Sequence, residues 1–284
     1  MSRAPFAMAK AASAFSRDVA IFDTTIGARF PNPALQAAFG ADTMPETADN
    51  VGRDLAIGRT ESDVFAAASK AKYEAARKAG FFANEILPIT PPAPRGKPAE
   101  TVSADEHPRP DSTLERLAKL SPLFKNGVVT AGNASGINDG AVAVLIGSAE
   151  AGKKAGCKPR GRIVAGAIAG VEPRVMGLGP VPSSRKALAR AGLTLADMNV
   201  IEINEAFATQ VLGCCKELGI AFDDARLNPN GGAIAIGHPL GASGARLLLT
   251  ALRQLERTGG RYGLVTMCIG IGQGITAVIE RLDG

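Results

Sequence analysis

A chain of 284 residues can bury a substantial core in one or two domains. Hydrophobic residues make up 46%, with 33 glycines and no tryptophan, which suits a turn-rich α/β protein. Only 5% of residues are aromatic and no block of Lys/Arg stands out, which argues against nucleic acid. No run approaches the eighteen apolar residues of a membrane span.

Net charge is +5, from 32 basic and 27 acidic residues; this fits a solvated surface or a preference for a phosphate-bearing ligand. Cys157, Cys214, Cys215 and Cys268 form no C-x-x-C pair and no second pair that would complete a zinc site. The expectation is a reduced, intracellular, cytoplasmic protein without structural disulfides or a metal centre.

The first seventeen residues are basic, free of acidic side chains and rich in Ala and Ser, like a transit peptide, but lack a secretory apolar core. Residues 1–60 read as irregular, broken by Pro31, Pro33 and Pro45. Thr60 opens a helix with Asp63 placed as in a capping box, and Gly80 stops it. Residues 81–89 read as a short strand, and the Pro- and charge-rich stretch 91–110 as a long connection. Residues 141–146 and 162–171 read as buried strands, and 183–192 as a helix capped by serine. Residues 199–203 form a strand leading into a helix over 204–219. Leu247, Leu248, Ala251, Leu252 and Leu255 share one face of a further helix ended by Gly259 and Gly260. Residues 263–268 and 275–281 are strands joined by a Gly-x-Gly-x-Gly turn. Alternating strands and helices with a terminal hairpin predict a layered α/β domain with a mixed sheet.

Chemistry concentrates in the last third. His238, one of two histidines, sits between Gly237 and Pro239, where proline aims it at the start of a helix. Small residues around it read as space for the close approach of a ligand. Cys268 ends a strand just before Gly270, as either a small buried hydrophobe or a reactive thiol. The glycines at 270, 272 and 274 mimic a dinucleotide fingerprint but lead into a strand, which rules that reading out. Asn204, between strand and helix, serves as an N-cap or as a donor to a bound water or oxyanion. Ser135, in the polar turn 132–140, belongs to an Asx-type turn or meets a ligand.

Together three stretches resemble the thiolase family in order and spacing: Asn204-Glu-Ala-Phe-Ala208, Gly231 through His238 to Arg246, and Cys268 to Gly274. The resemblance extends to Met1-Ser-Arg-Ala-Pro-Phe6, Asp23-Thr-Thr-Ile-Gly27 and Asp105-Glu-His-Pro-Arg-Pro-Asp111, which look most like the degradative branch. It implies a layered α/β/α C-terminal domain at 158–284, preceded by a loop domain at 1–137 that binds coenzyme A. Residues 138–157 would be the end of an N-terminal half-domain that is largely missing from this sequence.

The implied activity is thiolytic cleavage of a 3-oxoacyl-CoA, with 3-oxoadipyl-CoA foremost, to acetyl-CoA and a shortened acyl-CoA. Coenzyme A is then a co-substrate, no cofactor is permanently bound, and the full-length form is a homo-oligomer. His238 would deprotonate the nucleophile, Cys268 would act as acid and base, Asn204 would hold a water at the enolate oxygen, and the Gly270 N–H would stabilise the tetrahedral intermediate. Ser135, Ala131 and Phe207, with Met44, would line the pantetheine arm, and Arg109 the nucleotide end. Arg3, Arg174 or His107 would meet the distal carboxylate of a dicarboxylic chain.

In the family the nucleophilic cysteine lies upstream of the segment with which this sequence begins, and none of the four cysteines here replaces it. The expectation is therefore an inactive isolated chain. The alternative is a fragment that binds CoA without chemistry.

Overall fold

The computed structural model describes residues 2–282 apart from 12, 26, 28, 29 and 94. Met1 and Ile26, which belong to two of the segments quoted for the resemblance, lie outside the described residues. The chain opens with an antiparallel pair of three-residue strands, β1 (Phe6–Met8) and β2 (Ile21–Asp23). Helices α1 (Pro33–Phe39), α2 (Met44–Asp54), α3 (Arg59–Lys78), α4 (Leu114–Ala118) and α5 (Ala149–Lys154) follow. The second part comprises β3 (Gly161–Gly170), a 3₁₀ stretch Pro173–Leu178, α6 (Pro180–Ala191), β4 (Val200–Ile203) and α7 (Ala208–Leu218). It ends with the single turn α8 (Ala233–Ile236), then α9 (Leu240–Thr258), β5 (Tyr262–Ile269) and β6 (Gln273–Arg281).

The sheet is mixed, as expected: its order is β3-β6-β5-β4, parallel only between β4 and β5, and Leu227 adds a parallel bridge to Ile201. Period-two alternation divides its two faces. Ile201, Ile203, Leu264 and Val278 pack with Leu188 of α6 and Leu212 of α7. Val200, Val265 and Ile279 pack with Leu247, Ala251 and Leu255 of α9. Helices therefore cover both faces, and the predicted stripe on α9 is the one buried. Gly259, left-handed at φ 71°, ends that helix.

Several local expectations are corrected. The region 1–60 contains two helices; α2 begins because the Glu46 carboxylate accepts the Thr43 N–H at 2.7 Å in a capping box. α3 starts one residue early, at Arg59, because Glu61 rather than Asp63 takes the free N–H of Gly58. Asp63 is buried and accepts from Arg59 Nε (2.6 Å) and Asn133 Nδ2 (2.9 Å). Residues 81–89 are turns, because Phe81 and Phe82 fold back onto Tyr73; only Ile89 pairs, in a bridge to Val102.

α6 begins at Pro180, whose fixed φ suits the first helical position. Ser183 is an interior residue whose hydroxyl donates to the Gly179 carbonyl at 3.0 Å, so it is not the cap. Residues 162–171 do form a strand, but at the sheet edge, with Ile163 and Ile168 exposed. Residues 141–146 form no strand and Leu145 is 86% exposed. Among the described residues no strand lies beside them to take up their backbone groups.

Candidate active site

The site grows from the carboxyl ends of the parallel pair β4–β5. Asn228 brackets the last residue of β4, accepting the Ile203 N–H through Oδ1 and donating from Nδ2 to the Ile203 carbonyl, both at 2.9 Å. Asn204 keeps one sheet bond, from its N–H to the Thr266 carbonyl (3.0 Å). Residues 204–206 are not helical, Phe207 is extended (φ −145°), and α7 starts only at Ala208. Asn204 is therefore not an N-cap, which leaves its side-chain amide available. Its Nδ2 lies 3.3 Å from His238 Nε2, and its buried Oδ1 has no hydrogen-bond partner among the described residues.

His238 is held at three points. Its main-chain N–H is shared between the Gly136 carbonyl (3.2 Å) and Asn138 Oδ1 (3.1 Å). Its Nδ1 lies 2.6 Å from Ser243 Oγ, and its Nε2 faces Asn204. Pro239 follows in extended geometry and α9 begins at Leu240.

The glycines before His238 are required by the protein itself, which corrects the expectation that they make room for ligand. A Cβ at Gly232 would stand 2.3 Å from the Glu205 carboxyl carbon, and one at Gly237 (φ 95°) 2.2 Å from Asn138 Oδ1. Glu205, wholly buried, accepts from Ser69 Oγ (2.7 Å), Asn228 Nδ2 (2.8 Å) and the Ile234 N–H (3.1 Å). This carboxylate ties β4, α3 and the glycine-rich turn together.

Cys268, near the end of β5, packs with Met176, Ala206 and Phe207, the last two of which directly follow Asn204-Glu205. Burial pushes its thiol up to about 11, so it stays protonated. Burial, with the Arg246 cation adding, pushes His238 down to about 4 and keeps the imidazole neutral. A proton donor and a proton acceptor are thereby set apart in one region. At Gly270, the first turn residue after β5, a Cβ would meet open space.

The structure joins Asn204 to His238, packs Cys268 against Phe207, and ties Ser135 to Ala206, the residue before Phe207. The Ser135 N–H donates to the Ala206 carbonyl (2.9 Å), and Ala134 bridges Phe207. Met44 (first turn of α2), exposed Ala131 and Arg109 make no hydrogen bond to this group among the described residues. The Arg109 guanidinium is turned back onto the carbonyls of Glu106, His107 and Pro108.

Of the expected carboxylate partners, Arg174 is engaged by Asp54 (2.6 and 3.2 Å), and Arg3 is exposed. His107 lines a cavity of about 430 Å³ that also holds Asp105, Glu106 and Asp139, so that cavity is acidic on balance. Cys214 and Cys215 are interior, Cys215 pushed up to about 12 by burial, and Cys157 is exposed beyond α5.

Sequence reasoning missed Ser243, Asn138, Asn228 and Arg246. Ser243 carried a signal, since a serine in the first turns of a helix returns its hydroxyl toward the carbonyls behind it. Asn138 and Asn228 reach their targets across 100 and 25 positions of chain, where spacing is silent.

This geometry sits in a fold with known relatives. A thiolase N-terminal domain model matches residues 1–150 and a thiolase C-terminal domain model matches residues 157–281. The chain belongs to the thiolase family, whose members are acyltransferases. It is 59% identical to the beta-ketoadipyl-CoA thiolase of Pseudomonas knackmussii, over 99% of this chain and 70% of that protein. It is 56% identical to the 3-oxoadipyl-CoA/3-oxo-5,6-dehydrosuberyl-CoA thiolase of Escherichia coli K12, with the same coverage. Among solved structures it resembles human mitochondrial 3-ketoacyl-CoA thiolase with a TM-score of 0.85 and 39% identity, covering 99% of this chain and 69% of that one. A second structure of a human mitochondrial 3-ketoacyl-CoA thiolase, in complex with CoA, aligns equally well at 38% identity. Among the described residues no helix is long and apolar enough to cross a membrane.

Proposed function

We propose that this chain carries the acid–base side of a thiolase that cleaves 3-oxoadipyl-CoA with coenzyme A, giving acetyl-CoA and succinyl-CoA. The relatives named for that substrate support the reading, and so does the contact between Asn204 Nδ2 and His238 Nε2, which is the observation that carries it.

In this reading a cysteine thiol loses its proton to His238 Nε2 and attacks the 3-oxo carbon. The resulting alkoxide, held by the Gly270 N–H, collapses and breaks the C2–C3 bond, passing the electron pair to C2. The Cys268 thiol protonates that carbon and acetyl-CoA leaves, its enolate oxygen having been met by a water on Asn204 and by protonated His238. Cys268 recovers its proton from the incoming CoA thiol, which attacks the acyl thioester and releases succinyl-CoA, while the nucleophilic cysteine leaves as a thiolate and takes back the proton held on His238 Nε2. Each oxyanion donor is worth about 2.7–4 kcal/mol, and each placed acid or base about 10²–10⁴-fold.

Ser135, Ala131, Phe207 and Met44 would line the pantetheine, with Arg109 at the nucleotide. We place the CoA-facing loop domain in 1–137, the end of the N-terminal half-domain in 138–157 and the acid–base domain in 158–284, in a cytoplasmic protein whose full-length form is a homo-oligomer. The attacking cysteine is not one of the four present, two of which are interior helix residues and one of which is the proposed acid.

The test is release of acetyl-CoA from 3-oxoadipyl-CoA, followed by mass spectrometry. The 284-residue chain alone should give none, and adding an N-terminal thiolase segment that bears the nucleophile should restore turnover. His238→Ala should then lower the rate at least 10²-fold; an undiminished rate removes His238 from the mechanism. CoA binding without turnover, in the presence of that segment, would favour a role in binding alone.

A further inference from the structure

Ser243 is wholly buried in the first turns of α9, and none of the steps above uses it. Its Oγ lies 2.6 Å from His238 Nδ1 and 3.0 Å from the Pro239 carbonyl oxygen. On the other side of the ring, Nε2 lies 3.3 Å from Asn204 Nδ2, an atom that only donates. A neutral imidazole has one N–H and one lone pair. With Nε2 accepting from Asn204, the ring proton belongs on Nδ1 and donates to Ser243 Oγ. The hydroxyl hydrogen then continues to the Pro239 carbonyl, and every atom in the chain has a partner. The other tautomer would set Nε2–H against the Asn204 N–H, donor against donor.

We propose that Ser243 is a positioning residue for acyl transfer: it holds His238 as the Nδ1–H tautomer, which keeps Nε2 unprotonated and ready to receive the proton of the nucleophile. The proposal rests on the reading of His238 as that base, and refines it. When Nε2 takes the proton, Nδ1–H still donates to Ser243 Oγ, so the partner serves both states of the cycle.

A hydroxyl orients the ring differently from a carboxylate. A carboxylate at Nδ1 would stabilise the imidazolium strongly and hold the second proton. Serine fixes the tautomer while leaving the ring neutral, in keeping with its surroundings. Arg246 presents its cation from α9, and His107 stands behind Asn138 in the adjoining loops. Glu202 and Glu205 face the same interior from β4 and its extension, and both are pushed toward the neutral acid by burial.

The chain has two histidines, His107 and His238, so ring ¹⁵N NMR resolves them without further labelling tricks. In the wild-type protein His238 should show a protonated Nδ1 and an unprotonated Nε2. In Ser243→Ala the two signals should move toward a tautomer average and the pKa of His238 should fall, while His107 stays in place. Ser243→Thr, which keeps the hydroxyl, should restore the wild-type pattern. In the protein supplied with the nucleophile-bearing segment, Ser243→Ala should lower kcat about 10- to 100-fold with KM unchanged. A wild-type proton on Nε2, or an identical His238 spectrum in Ser243→Ala, overturns the proposal. The wild-type and threonine spectra decide the matter if the alanine variant does not fold. Should the tautomer data hold while His238→Ala turns over normally, the base assignment has failed and the role of Ser243 in setting the tautomer has not.

Discussion

The sheet domain and the first forty-odd residues treat apolar side chains in opposite ways. Every residue of β4 is buried, and the two faces of the sheet close under α6 and α7 on one side and α9 on the other. Before Ala48 no described apolar side chain is buried: Phe15 is 95% exposed, Phe6 73%, and α1 has no buried residue. Residues 141–146 behave like the early segment, with Val144, Leu145 and Ile146 exposed. The sheet domain therefore supplies its own cover, while the early segment displays apolar surface of the kind found where one surface meets another. Catalytic geometry follows the same division. Asn204, His238 and Cys268 come from the self-covered part, and the loop 131–140 reaches in from the chain ahead of it to fix the main chain of His238.

The sharpest way to break this comparison is to cut one large apolar side chain from each side. Leu264→Ala removes a wholly buried side chain between the sheet and α6/α7 and should cost about 2–5 kcal/mol in denaturant unfolding. Phe15→Ala deletes a larger side chain from an exposed position and should stay within about 0.5 kcal/mol. Comparable losses would mean that the early segment is packed in solution and that the contrast is false. Gly179→Ala tests the seam where α6 meets the terminal hairpin, because its Cβ would stand 2.2 Å from the Gln273 carbonyl oxygen. It should cost about 1–3 kcal/mol, whereas Gly270→Ala, with open space at its Cβ, should cost far less.

Legibility in the sequence followed the same division. The stripe on α9, the strand before Asn204 and the terminal hairpin were readable because their periodicity matched the burial they received. Residues 141–146 carried an equally apolar pattern and became no strand, since a strand is defined by its neighbour and none lies alongside among the described residues. α2 was hidden by the prolines around it, although Thr43 and Glu46 form its capping box. At the site, His238 and Cys268 stood out through their glycines, but the reason for those glycines was misread. Gly232 and Gly237 are small because Glu205 and Asn138 occupy the space in front of them. Contacts that join chain positions far apart leave no periodic trace, so Asn138 and Asn228 emerged only from the fold.

A pH series separates the interior of the sheet domain from its surface. Glu202, two residues before Asn204, is wholly buried, and among the described residues neither carboxylate oxygen has a hydrogen-bond partner. Burial pushes its pKa up to about 8 from the ordinary 4.5, against the opposing pull of Arg246. Between those values the folded protein holds a proton that the unfolded chain has released. Its contribution to stability is therefore complete below about 4.5 and is lost as pH rises toward 8. Glu202→Gln stays neutral throughout, so its Tm relative to wild type should climb steadily from pH 5 to pH 8. A difference that does not vary with pH would show that the carboxyl group is ionised inside the fold.

The smallest expected effect lies on the bond that crosses between the two regions. Asn138 Oδ1 is one of two acceptors for the His238 N–H, and the Gly136 carbonyl remains when it is removed. Asn138→Ala should therefore cost only about 0.5–1.5 kcal/mol in stability. Its effect on turnover, measured with the nucleophile-bearing segment supplied, should exceed its effect on unfolding, because the loop then holds the main chain of His238 by a single carbonyl. If turnover and stability fall in proportion, the loop is merely part of the scaffold. A disproportionate loss of kcat would show that the loop 131–140 acts on the chemistry through the position of one main-chain nitrogen.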